Sequence, residues 1–177
     1  DIIEYAIGRK PSVEMVEKYA KEKEALYRKR CLVDKVNFKL APGAAAFLDF
    51  LKENNIPMTI ATMSEWDNVE FYIKEFKLAK WFDVDKIVYS NGKIPGKPAP
   101  DIFLIAAGKI GLNPKDCVVF EDAIAGINAA KAAGIGKIIA VDSIEPIEFY
   151  RDIDGLSGII TSFDEVDKSM FEIPSVI

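Results

Sequence analysis

Val118-Val119-Phe120-Glu121-Asp122-Ala123-Ile124-Ala125-Gly126 decides how this chain is read. An apolar, β-branched run stops at two adjacent carboxylates. A small-residue helical stretch follows at once, Ala-Ile-Ala-Gly-Ile-Asn-Ala-Ala-Lys-Ala-Ala. In open parallel sheets, ligands bind at the C-terminal ends of the strands. Two acids at such an end can hold a hard cation through oxygen. A purely structural reading competes with this one. An Asp just before a helix is a good N-cap, and a neighbouring Glu suits the positive end of the helix dipole.

Working outward, the same strand-then-helix pattern repeats. Pro57-Met58-Thr59-Ile60-Ala61-Thr62 reads as a buried strand ending at Thr62, and Val69, Tyr72, Ile73 and Phe76 recur at helical spacing after it. Lys86 to Ser90 is a short strand. Gly96-Lys97-Pro98-Ala99-Pro100-Asp101 then forms a loop stiffened by two prolines, the second placed where a helix can begin. Phe103, Ala106, Ala107 and Ile110 form the buried face of that helix. Downstream of the central stretch come a helix over 123–133, a strand over 137–141, a last strand around 158–161 and a short helix near 163–168 before a loose tail. Upstream, Ala44, Phe47, Leu48 and Leu51 give one helix face, and Pro42-Gly43 marks the connector before it. Trp81-Phe82 reads as core filling. Strands alternating with helices over short turns predict an α/β, Rossmann-like parallel sheet with helices on both faces.

A long helix from about Val13 to Leu32, capped by Ser12 or a neighbour, lies before this core. Val16, Ala20, Lys23 and Tyr27 share one of its stripes. Lys23 is the odd member. Either its stem lies on the surface with the ammonium in water, or it aims a cation at an anionic ligand.

Composition bounds the function. The 177 residues are 50% hydrophobic, enough for one substantial core with an appendage. A net charge of -5 without a basic run argues against nucleic acid as a partner, and no apolar run is long enough to span a membrane. Cys31 and Cys117 are isolated thiols, which predicts a reducing, cytoplasmic setting. With no His in the chain, proton transfer near neutral pH falls to a carboxylate, Lys, Tyr or Cys. No P-loop or dinucleotide-binding glycine pattern is present.

Thr62, Lys97 and Glu121-Asp122 thus stand at or just after the ends of three strands that a parallel sheet would point the same way. A hydroxyl with nearby backbone N–H groups, an ammonium and a carboxylate pair around Mg²⁺ make a phosphate site. Singly, each has an ordinary explanation: Thr62 as a strand residue, Lys97 as a passenger in a stiff loop. Together, in this order, they favour chemistry.

Ile60-Ala61-Thr62-Met63-Ser64, Gly96-Lys97-Pro98-Ala99-Pro100-Asp101-Ile102-Phe103 and Phe120-Glu121-Asp122-Ala123-Ile124-Ala125-Gly126-Ile127 resemble, in order, the second, third and fourth motifs of the haloacid dehalogenase (HAD) superfamily. The nearest branch is the β-phosphoglucomutase-like and phosphoglycolate-phosphatase-like one, with a small helical cap. The resemblance implies that Thr62, with Met63 and Ser64, binds a phosphoryl group and that Lys97 neutralises it. It implies that Asp122 ligates Mg²⁺ with Glu121 in support. Residues 1–37 would be the C-terminal half of the cap, presenting Lys23 to substrate, and 38–177 the core.

The superfamily's first motif, Asp-x-Asp after the first strand, has no counterpart here. Asp1-Ile2-Ile3 does not match, and Asp49-Phe50-Leu51 sits in a helix pattern. That motif carries the nucleophilic Asp and the general acid/base. The strand bearing it would lie between those of Thr62 and Asp122, and its absence would leave two edges unpaired. The expectation is therefore a C-terminal piece of a longer enzyme, inactive and aggregation-prone alone, whose missing partner is its own N-terminal segment. The enzyme expected is a Mg²⁺-dependent phosphohydrolase of a small phosphorylated metabolite, such as a sugar phosphate. A phosphoglucomutase is the alternative, and a phosphate-sensing or partner-binding domain the alternative of another class. Halide displacement does not need Mg²⁺ and is disfavoured. A receiver-like signalling domain would carry its acids before its Lys, the reverse of this order.

Overall fold

A computed structural model describes residues 8–142 and 147–171. Residues 1–7, whose sequence reads as a chain entering mid-helix, lie outside them. The chain divides into two compact units, Asp1–Lys39 and Leu40–Ile177.

The first unit carries helix α1 (Val13–Val33). Ser12 is its N-cap, with extended backbone and an Oγ that accepts from the Met15 N–H at 3.2 Å. No residue of α1 is buried, so its stripe is not a core face: Val16 and Tyr27 are 38% and 43% exposed.

The second unit runs α2 (Ala44–Glu53), β1 (Ala61–Glu65), α3 (Trp66–Glu75), β2 (Val88–Ser90), α4 (Asp101–Lys109), β3 (Val118–Glu121), α5 (Ile124–Ala132), β4 (Lys137–Val141), α6 (Ile147–Arg151) and β5 (Gly158–Ile160). Among the described residues the strands form two parallel sheets, β1-β2 and β3-β4-β5. In the second, Val118 faces Lys137 and Glu121 faces Ala140 in unbroken register. Both faces are covered, because alternate side chains of a strand point opposite ways. Ile138 and Ala140 of β4 enter a cluster with Ile102, Phe103, Ile127, Ala130 and Tyr150. Ile139 and Val141 enter the other, with Phe47 and Leu51 of α2, Ile160 and Val166. Phe47 centres an aromatic group there, 5.4 Å from the Phe120 ring and 5.5 Å from that of Phe163. The first cluster also takes Val88 of β2, and Ala61 and Met63 of β1 pack against it. Side chains, not ladder hydrogen bonds, therefore join the two sheets.

Several boundaries differ from the sequence reading. The first strand is Ala61–Glu65 rather than 57–62, and it is irregular. Ala61 pairs with Val88 and Glu65 with Ser90, so β1 spends two more residues than β2 between the same rungs. Thr62 lies inside that bulge, not at the strand's end. The helix expected near 163–168 is instead two 3₁₀ turns, Phe163–Glu165 and Lys168–Phe171. Trp81 is half-buried rather than core, because its indole N–H donates to Asp49 Oδ1 at 2.7 Å.

The same Asp49 oxygen lies 2.6 Å from Lys80 Nζ. The hydrogen bonds from Lys80 and then Trp81 hold its carboxyl below the usual carboxylate range. A group whose folded pKa is lowered stabilises the fold above its unfolded pKa, near 3.9, and loses that effect as pH falls through the folded value. Asp49→Asn should therefore lower the melting temperature at about pH 6 and lower it less at about pH 2. An equal deficit at both values would remove the ionic role of Asp49.

Candidate active site

Each parallel ladder sets its strands' C-terminal ends at one edge, and one ion pair links those edges. Lys97, in the loop after β2, places Nζ 2.8 Å from Oε2 of Glu121, the last residue of β3. Their side chains are 15% and 11% exposed, so this is a largely dehydrated pair rather than a surface one. The Lys97 ammonium also lies 4.9 Å from the centre of the Phe103 ring, where the π face attracts a cation. The Lys97–Pro98 peptide is cis. Removing either partner of such a pair strands a charge and typically costs about 3–5 kcal/mol.

Asp122 is half-buried just beyond β3. Its backbone carbonyl accepts from the Tyr150 hydroxyl at 2.6 Å, and Tyr150 is only 1% exposed. The capping explanation for the acid pair fails. Ala123 is the N-cap of α5, and no side chain caps that helix. Thr62 and Ser64 are half-buried in the β1 bulge, where Thr62 Oγ1 accepts from the Ser64 N–H at 3.1 Å. Bulges re-aim side chains and backbone groups beside binding sites. Met63 instead turns inward against the core.

The structure thus joins Lys97 directly to Glu121. It sets Thr62 on the strand beside the one that leads to Lys97, and Asp122 next to Glu121. Lys23 belongs to the other unit and is 76% exposed, 2.8 Å from Glu24 Oε1, which raises its pKa. Among the described residues no three His, Cys, Asp or Glu side chains gather in a way that could hold a metal ion. Magnesium, however, keeps several waters and is often bound through one or two protein carboxylates plus substrate phosphate. Asp122 suits one such position, while Glu121 already accepts from Lys97.

Sequence reasoning missed two things here. One is Tyr150, which is remote in sequence and carries no pattern. The other is the Lys97–Glu121 bond, which depends on the Cβ that Gly126 lacks.

The family model described as haloacid dehalogenase-like hydrolase matches residues 4–134. The chain is 38% identical over 143 residues to a protein named "Probable pseudouridine-5'-phosphatase" of Drosophila melanogaster, covering 78% of this chain and 61% of that one. It is 37% identical over 121 residues to a β-phosphoglucomutase of Bacillus subtilis, covering 66% and 52%. Among solved structures, a HAD hydrolase, family IA, variant 3, from Entamoeba histolytica superposes with a TM-score of 0.86 at 40% identity, over 95% of this chain and 74% of that one. The chain therefore spans only 61% and 52% of the two curated relatives. With its three motifs in order on parallel strands, a match over most of its length and a fold shared with a solved member, the chain belongs to the haloacid dehalogenase-like hydrolases.

Proposed function

We propose that this chain is part of a Mg²⁺-dependent phosphohydrolase of a small phosphorylated metabolite. The observation that carries the reading is the dehydrated Lys97–Glu121 pair beside Asp122, at the edge where three motif-bearing segments end. A structural ion pair has no need of that position, whereas a phosphate site needs a fixed cation. The names of relatives, a pseudouridine-5'-phosphatase and a fructose-1-phosphate phosphatase among them, agree with this substrate class.

In this reading Thr62 and Ser64, with the Met63 backbone, donate to phosphoryl oxygens, and Lys97 neutralises their charge. Asp122 contributes one oxygen to Mg²⁺ and Glu121 supports the site. Bound Mg²⁺ would offset the phosphate's charge and orient it. The nucleophile is a carboxylate outside these 177 residues, on a strand that would complete the sheet between β1 and β3. Its oxygen attacks phosphorus, the ester oxygen leaves, and water then cleaves the aspartyl-phosphate. The 1–37 region acts as half of a cap that brings Lys23 to substrate, and the enzyme works in the cytoplasm. Likeness to the Bacillus β-phosphoglucomutase supports a second reading, phosphoryl transfer back to a sugar phosphate instead of to water.

The test is orthophosphate release by the full-length protein from a panel of phosphorylated metabolites, compared with its Lys97→Met variant. That substitution keeps the aliphatic stem over Phe103 and deletes the charge. It should lower kcat/KM by at least about 100-fold, the scale of losing one preorganised charge partner. Melting should register the stranded Glu121. An unchanged kcat/KM in a folded Lys97→Met variant would make Lys97 structural and overturn the reading.

A further inference from the structure

Glu121 can meet Lys97 only because of what residue 126 lacks. Gly126 is the third residue of α5 and is buried, with its N–H on the Ala123 carbonyl at 2.9 Å. A Cβ built on it would lie 2.0 Å from Glu121 Oε1, 2.1 Å from Cδ and 2.5 Å from Cγ. The Glu121 carboxyl therefore occupies the volume that any other residue's Cβ would fill. One of its oxygens rests in that notch while the other accepts from Lys97. Gly126 has no positive-φ requirement, so neither backbone conformation nor helix propensity explains it. Glycine inside a helix is in fact unfavourable relative to alanine.

We propose that Gly126 is a positioning residue. Its bare Cα seats the Glu121 carboxylate against the first turn of α5, and that carboxylate fixes the Lys97 ammonium where a phosphoryl group is bound. The seat itself follows from the geometry; its effect on phosphate rests on the function proposed above. What a new Cβ would strike is the far end of a flexible side chain, not backbone. The fold can accept Gly126→Ala by moving the carboxylate aside, and Lys97 then loses its anchor. A residue needed only for packing would instead lower stability equally with or without Glu121.

The experiment uses the full-length protein with inorganic phosphate as probe and a double-mutant cycle between Gly126→Ala and Glu121→Ala. Gly126→Ala should remain folded, melt no lower than Glu121→Ala, and bind phosphate about 10- to 100-fold more weakly than the unsubstituted protein, the scale at which supporting contacts act. In the Glu121→Ala background the same substitution should have no further effect on affinity, because the seat is already empty. The side-chain ¹⁵Nζ resonance of Lys97, assigned by its disappearance in Lys97→Arg, should move towards those of exposed lysines in Gly126→Ala without any phosphate present. That signal separates the two ideas. If the unsubstituted protein binds no phosphate but the resonance moves as described, the seat stands and the phosphate reading falls. If Gly126→Ala leaves the resonance unmoved, or if its effects add fully to those of Glu121→Ala, the seat is overturned.

Discussion

Asp122→Asn in the full-length protein is expected to abolish Mg²⁺-dependent turnover, by about a thousandfold or ~4 kcal/mol in the barrier, while leaving the fold in place. The reason lies in where Asp122 stands. Its side chain is not the cap of α5, since Ala123 occupies that position. Its backbone is anchored separately, through the Tyr150 hydroxyl on its carbonyl oxygen. An amide of the same shape should therefore sit where the carboxylate sat, with the peptide still pinned. The negative charge is what disappears, and a hard cation favours charged oxygen over a neutral amide. The measurements are orthophosphate release across a Mg²⁺ titration, and thermal melting alongside. Full activity in Asp122→Asn would remove the metal assignment. A melt lowered by 10 °C or more, roughly 3 kcal/mol at this chain length, would mean that the acid holds the fold together.

Gly136→Ala is expected to destabilise the fold strongly, by at least about 3 kcal/mol, which for a chain of this size lowers the melting temperature by roughly 6–12 °C. A Cβ at 136 would lie 1.9 Å from the Lys115 carbonyl oxygen and 2.8 Å from its carbon. Unlike the Glu121 carboxyl, this obstacle is main chain and cannot swing away. It is held at both ends. The Gly136 N–H donates to the Pro114 carbonyl at 3.1 Å and the Lys137 N–H to the Cys117 carbonyl at 3.2 Å, bracketing the entry to β3 and β4. Relief would have to pull those strands' first rungs apart. Gly108→Ala in α4 is the matched control, because open space surrounds the position where its Cβ would go. It should be neutral or stabilise by about 0.5–1 kcal/mol through helix propensity. Equal melting of Gly136→Ala and the parent would show that the turn over Pro114–Asp116 yields more readily than its hydrogen bonds suggest.

Much of this could be read from residue order, for identifiable reasons. The run Val118–Phe120 and the small-residue helix after it are local patterns, and both appear within a residue or two of their expected ends. Alternation of strand and helix fixed the parallel arrangement and its two covered faces. β1 was misplaced because the apolar stretch 57–62 looks regular, whereas the extra residues between the Ala61 and Glu65 rungs are a property of pairing with β2. Pairing of that kind involves residues far apart in sequence and leaves no periodic trace. The Lys97–Glu121 bond was hidden for the same reason, with its ends 24 positions apart and its geometry set by an absent side chain at Gly126. Tyr150 was invisible because a lone aromatic in a short helix has no signature until the carbonyl it reaches is known.

The division of the strands into two sheets has a consequence for how the site is tuned. Where neighbouring strands share a ladder, their spacing is dictated by hydrogen-bond length, and side-chain changes scarcely alter it. Between β1 and β3 no such ruler operates among the described residues. Among the described residues they are joined through the cluster that holds Ile102 of α4 and Ile127 of α5, both wholly buried. The strand proposed above to lie between β1 and β3 would supply the missing ruler, so the distance from Thr62 to Asp122 is dictated by hydrogen-bond length only once that strand is in place.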